Sequence, residues 1–385
     1  MPDIWRKHNA AKKHVLSLSA PGASFEINAF HFGPTDTGRK VYMQASLHAD
    51  ELPGSLAAFY LNRRLQELEK QGALACEIIL VPFCNPIGLS QSVFYEHIGR
   101  FQLPTGQNFN RLTGVPLYEN LLTALQNSRE KPGADAQANL ALIRGKMRDV
   151  LDAMAPARLI DELHITLLKM ACDADIVLDL HCDNRAVMHV YTLPQVWDRG
   201  EPLARYLQSE CQLLAEDSLS CSFDEMVSTP WLKLQSVYPE ANIPLPCFAA
   251  TVELRGDRDL THEYARHDAD ALVQYLNQQG YLQLPAAEVA PMPPLRCEPH
   301  PLGGLAYVVT PCAGIVVYHV AAGQWVQRDQ LLAEIVDPVA LTVTPVTAPV
   351  DGFIFATAGV RLAQTETKLL SLSSPDDIGS VGLSP

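Results

Sequence analysis

Two rhythms of apolar and polar residues alternate along the first two-thirds of the chain. KVYMQASLHA (40–49) is a strand-type run that ends in polar residues. After Pro53, SLAAFYLNRRLQELEKQG places apolar residues at helical spacing and stops at Gly72. CEIILVPFCNP is an apolar run of strand length, closed by Asn85-Pro86. Residues 134–172 are rich in Ala, Leu, Met and Arg and predict one or two helices. ADIVLDLH (174–181) reads as a buried strand, followed closely by AVMHVYTLP. CFAATVELRG (247–256) predicts another strand, and EYARHDADALVQYLNQQG a helix stopped at Gly280. Strands alternating with helices predict an α/β fold, a mixed sheet flanked by helices on both faces.

The rhythm breaks at 285–301, PAAEVAPMPPLRCEPHP, whose six prolines suit an extended linker. Short strands and turns follow. They contain an internal repeat with an offset of 38 residues: Pro311 matches Pro349, Gly314 matches Gly352, and Leu331-Leu332 matches Leu369-Leu370. Neither half is long enough to bury its own apolar face, so the two must pack together as a small all-β barrel or sandwich. The expected division is therefore an α/β unit at 1–290 and a duplicated β-module at 298–374. VTAPVDGFI resembles the biotinyl/lipoyl-carrier type of β-domain. A carrier needs a modifiable Lys in the preceding hairpin, and VALTVTPV has none. The module therefore reads as a structural, oligomerising or access-restricting appendage.

Composition narrows the function classes. Apolar residues make up 48% and charged residues 19%, which is globular and not disordered. The formal charge of −14 argues against a nucleic-acid partner, which would require clustered Lys and Arg. No apolar run approaches the roughly 18 residues of a membrane span. MPDIWRKHNAAKKH has positive charge but no apolar stretch behind it, so no secretory leader is expected. The nine cysteines are scattered, mostly within apolar runs, and read as reduced core residues of a cytoplasmic protein.

Four places carry polar groups that a scaffold would not need. His48 and Glu51 lie three apart in a turn between a strand and a helix, where both can face one metal ion; the pair can equally be a polar loop at a helix start. His181 ends an apolar strand with Asp179 on the same face, since strand period is two. Alone, His181 also reads as a satisfied core histidine, and Asp179 as its support or a backbone partner. Glu253 lies near a strand end with Val252 and Leu254 pointing the other way, either a general base or a solvent-facing carboxylate. Arg100, Asn110 and Arg111 fall in GRFQLPTGQNFNR, where arginines can clamp a carboxylate or stabilise an oxyanion, or simply sit in solvent.

The order of these segments resembles the zinc carboxypeptidase superfamily, and more closely its succinylglutamate desuccinylase/aspartoacylase branch. SLHADELPG, NPIG, the GR and GQNFNR pair, DIVLDLHC and TVELRG carry the resemblance, which spans roughly 40–370 with the tail segments GQWV, QLLAEI and APVDG. It implies one zinc ion per chain, held by His48, Glu51 and His181. It implies Glu253 as the base that activates water and Arg100 as the group that polarises the scissile carbonyl. Asn110 and Arg111 would hold a substrate carboxylate. The implied activity is hydrolysis of a small N-acyl amino acid to a carboxylate and a free amine.

Departures from the family pattern are Phe109 within Asn-x-Asn-Arg, a long 115–172 region, CDNRAV after His181, and an acidic stretch at 210–231. They fall where a pocket wall is expected, so the acyl group and amino acid stay open. A metallocarboxypeptidase acting on peptides and a non-catalytic ligand-binding relative are the competing readings. A homo-oligomer is compatible with the sequence.

Overall fold

The computed structural model describes residues 11–379 except 217 and 219; the segment 1–10, part of the expected leader-free start, lies outside them. Among the described residues, nine strands form one sheet. They are β1 (Lys12–Leu16), β2 (Phe25–Phe32), β3 (Lys40–Ala45), β4 (Glu77–Val81), β5 (Ile176–Asp183), β6 (His189–Thr192), β7 (Cys211–Leu214), β8 (Phe248–Gly256) and β9 (His300–Pro301). Their spatial order is β1-β2-β4-β3-β5-β8-β6-β7-β9. The centre, β4-β3-β5-β8, is parallel, and antiparallel pairs join β2 to β4 and β8 to β6.

Eight helices flank it: α1 (Pro53–Lys70), α2 (Pro86–Leu89), α3 (Leu117–Asn127), α4 (Ala136–Ala153), α5 (Leu159–Ala171), α6 (Trp197–Leu207), α7 (Phe223–Val237) and α8 (His262–Gln278). Side chains alternate across the central strands, because the pleat points successive residues to opposite faces. Val41, Met43, Leu178, Leu180, Val252 and Leu254 pack with α1, α6 and α8. Tyr42, Ile79, Val177 and Ala249 pack with α3, α4, α5 and α7. The near-continuous apolar runs of the sequence are thus strands buried on both faces. No helix among the described residues is long and apolar enough to cross a membrane.

The 134–172 region is two helices, α4 and α5, separated at 154–158. The proline-rich stretch is not extended throughout. Ala286–Glu288 forms a 3₁₀ turn, and β9 adds to the edge of the main sheet.

Beyond β9 come β10 (Leu305–Val309), β11 (Gly314–Tyr318), β12 (Gln324–Val326), β13 (Leu331–Asp337), β14 (Thr342–Thr347), β15 (Gly352–Thr357), β16 (Leu362–Ala363) and β17 (Lys368–Ser373). The 38-residue offset carries β11 onto β15 and β12 onto β16. One sheet contains β10, β15 and β17, the other β11, β13 and β14. The halves exchange their short strands: β12 pairs with β15, and β16 pairs with β11. Val316, Leu332, Ile335, Ile354 and Leu370 fill the shared interior. This exchange is how two short units each bury an apolar face.

The β-module is also joined to the main sheet. Arg185-Ala186, between β5 and β6, pairs with β15. Leu213 of β7 packs with Leu302, Phe353 and Phe355. Residues of the module consequently reach the carboxyl ends of the central strands.

Candidate metal centre

The parallel strands β3, β5 and β8 end on the same side of the sheet, where ligands gather in open α/β folds. The chain leaves β3 through Ser46, whose backbone is left-handed with φ of 58°, and turns into α1. The Ser46 hydroxyl donates to Glu51 O at 3.0 Å and meets Ser55 Oγ at 2.6 Å, fixing the turn that carries His48 and Glu51. Gly99 packs against the same turn: a Cβ there would lie 2.2 Å from Asp50 N. Its carbonyl accepts from Ala49 N at 3.0 Å. The following residue, Arg100, is thereby delivered beside Glu51.

His48, Glu51 and His181 come together, all buried, with ligand atoms within 4.8 Å of one another. His48 Nδ1 lies 2.8 Å from Glu51 Oε1, and His181 Nδ1 lies 2.8 Å from Glu51 Oε2. The far nitrogens are held from behind. His48 Nε2 meets Asn108 Oδ1 at 2.8 Å. His181 Nε2 lies 2.9 Å from Asp179 Oδ2, an ion-pair contact without straight N–H···O geometry. Gln44 donates to the other oxygen of Asp179 at 3.0 Å.

These outer contacts test the fit of a metal. An amide or carboxylate oxygen only accepts, so it favours the tautomer with hydrogen on Nε2 and a lone pair on Nδ1. Both lone pairs then point at carboxylate oxygens 2.8 Å away. That arrangement needs a cation between acceptors, and two imidazoles with one carboxylate are a donor set that zinc takes. Without metal, protons do this work. Burial pulls His181 down, but Asp179 and Glu51 outweigh it and hold the ring well above its ordinary pKa. Burial would raise Glu51, but the two histidines outweigh it and hold the carboxyl well below the usual range. Burial and Arg100 leave His48 lowered despite Glu51.

Glu253 stands opposite His181 in the β5–β8 register. It is half-buried at the cavity wall, yet its Oε2 is shielded and has no hydrogen-bond partner among the described residues. Burial, and then the charge of Glu51, push its carboxyl up to about 8. A divalent cation on Glu51 would offset that charge and pull it back down.

A short hairpin, Phe101–Gln102 with Gln107–Asn108, brings the GR and GQNFNR segments together. Arg100 Nη1 lies 3.1 Å from Glu51 Oε1 and 3.2 Å from His48 Nδ1. Asn110 is buried; its Oδ1 accepts from Phe223 N at 2.8 Å, and its Nδ2 lies 3.5 Å from His181 Nε2. Arg111 Nη1 donates to Asn110 O at 2.8 Å. Burial, and then Arg100, lower the Arg111 pKa. All seven residues singled out from the sequence line or border one cavity of about 600 Å³.

Three further groups were not singled out from the sequence. Asn108 supports His48 and belongs to the same Asn-x-Asn-Arg segment, so its position two residues before Asn110 was the available signal. Asp224, at the start of α7, is buried in the cavity wall, where burial and Glu225 push it up to about 6. Lys368 enters from β17 and had no local signal.

Residues 37–226 match the family model described as the succinylglutamate desuccinylase/aspartoacylase catalytic domain. The match spans just under half of the chain. No curated protein matches the chain. The fold is similar to that of a protein assigned to succinylglutamate desuccinylase/aspartoacylase from Shewanella frigidimarina NCIMB 400, at 21% identity and TM-score 0.80, covering 96% of this chain and 98% of that one. A family member from Shewanella amazonensis SB2B is similar at 23% identity and TM-score 0.80, covering 94% and 98%. The product-bound ectoine utilization protein EutE (DoeB) from Ruegeria pomeroyi is similar at 14% identity and TM-score 0.63, covering 97% and 98%. At these identities the solved structures speak for the fold. The family's catalytic segment contains His48, Glu51, Arg100, Asn110, Arg111 and His181, while Glu253 lies beyond it on β8.

Proposed function

We propose that the protein is a zinc-dependent amidohydrolase that removes the acyl group from a small N-acyl amino acid. The observation that carries this reading is the buried His48–Glu51–His181 cluster with Glu253 in register beside it. The family match over 37–226 supports it. The unit at 1–290 is read as the hydrolase and 298–374 as a module that narrows access to its cavity.

In this reading His48, Glu51 and His181 hold one zinc ion per chain. When bound, the ion supplies Lewis-acid polarisation and lowers the pKa of water. Glu253 takes a proton from the attacking water and delivers it to the leaving amine nitrogen, so base and acid are the same carboxyl. Arg100 stabilises the oxygen that becomes negative as the carbonyl turns tetrahedral; among the described residues only its Nη1 has hydrogen-bond partners. Arg111, with Asn110 holding its carbonyl toward it, receives the α-carboxylate of the substrate. The products are a carboxylic acid and a free amino acid, with the water oxygen in the acid.

A panel of N-acyl amino acids set against C-terminal dipeptides tests the reading on metal-loaded protein. Deacylation with dipeptides left intact is expected. Cleavage of dipeptides alone would make the protein a carboxypeptidase, and hydrolysis of neither would leave a binding relative.

A further inference from the structure

The β-module carries an apolar surface on the side away from the cavity. Its sheet of β10, β15 and β17 packs on the main sheet through Phe353 and Phe355, so β14-β13-β11-β16 is the outer layer. Strand register aligns Leu362, Ile315, Val336 and Val343 in one row across all four strands. Val316, Ile335 and Ala363, which alternate with them, fill the interior of the module, so the row faces outward. Leu362 is 71% exposed and Val343 57%. The next row is Val317, Glu334 and Pro345. Its one charge, Glu334, meets His319 Nε2 at 2.8 Å.

The hairpin between β13 and β14 extends this surface. Asp337 Oδ1 accepts from Val339 N at 2.8 Å and Ala340 N at 2.9 Å, which fixes the tip. Val339 is 91% exposed. Leu341 is 87% exposed and held at a φ of 55°. A left-handed backbone is costly for leucine, and here it presents an apolar side chain to water. Local strain of this kind points to a contact made in use.

Charge and area decide what covers the face. The chain carries a formal charge of −14, so two copies repel wherever acidic surfaces approach. An uncharged face escapes that repulsion, and it offers nothing to a charged partner. We propose that a second copy of this chain covers the outer sheet, face to face across a two-fold axis, making the β-module the dimerisation element. Two-fold symmetry sets each row against its own counterpart. A fully exposed aliphatic side chain offers about 100 Å². The rows and the hairpin tip then present about 400 Å² of apolar surface per copy, the apolar share of an interface burying about 600 Å² per partner, at the lower end of stable ones. Pro345 interrupts the open edge of β14, which disfavours strand addition there and leaves the face as the contact. The cavity is reached by the opposite sheet, through Tyr307 and Lys368, so both cavities stay accessible in the pair.

Sedimentation velocity on the full chain, over about 1–100 μM, tests this by mass. A dimer is expected. Ile315→Lys sets like charges against each other and should weaken association by about a hundredfold or more. Mixing Ile315→Lys with Ile315→Glu should restore it, which misfolded variants could not do. Leu341→Asn suits the left-handed backbone, so the monomer should unfold no earlier than wild type while association weakens about tenfold. A wild-type monomer across this range would overturn the proposal, as would a dimer indifferent to both substitutions or a mixture that fails to re-associate. Tyr95, exposed at another hairpin tip, marks the rival surface. A dimer lost through Tyr95→Lys but not Ile315→Lys would place the interface there instead.

Discussion

Glu253 and His181 occupy paired positions on the parallel strands β8 and β5, so one pleat aims both side chains into the same cavity. A candidate base and a candidate ligand therefore need no loop to meet. Their spacing is set by the strand register of the sheet. The neighbouring pair in the same register, Thr251 with Asp179, places the support for His181 one step deeper.

Replacement of Glu253 by Gln should separate metal binding from chemistry. Gln keeps the shape and removes the base. Hydrolysis should fall by about 10²–10⁴-fold, the range for loss of a general base. Metal content should stay at the wild-type value. A variant with near-normal turnover would remove Glu253 from the mechanism.

The outer contacts of the histidines should matter almost as much as the ligands. Asn108→Ala removes the acceptor 2.8 Å behind His48 Nε2. Asp179→Asn removes the charge behind His181. Each should weaken metal affinity by about 10–100-fold, read from a competition titration with a chelator. Unchanged affinity in both would mean that ring orientation is set elsewhere.

Gly99 is required by close approach, not by backbone conformation. A Cβ at this position would press on Asp50 N, within the turn that carries both His48 and Glu51. Gly99→Ala should cost about 1–3 kcal/mol of stability by overpacking. It should also lower metal affinity, because relief of the clash moves the turn. Denaturant unfolding with and without metal measures both, and a fully wild-type Gly99→Ala protein would contradict the packing argument.

Much of this architecture is visible in the sequence because the central strands are buried on two faces. Continuous runs such as IVLDL and AATVEL announce themselves, and their polar interruptions are the site. The flanking parts are harder to read. β1 is exposed along most of its length and lacks such a run. α7 begins with Asp224 and Glu225 and contains Pro230, so its helical stripe is hidden within an acidic stretch. α6 contains Pro202. Lys368 is illegible for another reason. Its position in the cavity follows from docking the β-module on the main sheet, a tertiary event with no local signature.

His164 makes stability depend on acid. The ring is fully buried, with Nε2 donating to Phe109 O at 2.7 Å and Nδ1 without a partner among the described residues. Burial lowers its pKa to about 4. The unfolded chain, with an ordinary value near 6.5, binds more protons between these limits. Stability therefore rises with pH across about 4–6.5, and is lost as pH falls through that window. The full effect is about 3 kcal/mol. Urea unfolding at pH 7.5 and pH 4 should show the advantage of wild type over His164→Gln shrinking by up to that amount. A constant difference would contradict the assignment. Because Phe109 lies between Asn108 and Asn110, the same protonation should loosen the loop that supports both histidine ligands.

Metal stoichiometry tests the centre of the account most directly. Purified protein loaded with zinc and freed of excess should retain about one ion per chain by elemental analysis, as a two-histidine, one-glutamate site requires. His181→Ala and Glu51→Gln should each lose most of it. Wild-type protein that retains no zinc after loading, or variants that retain as much as wild type, would contradict the assignment of this cluster as the metal centre.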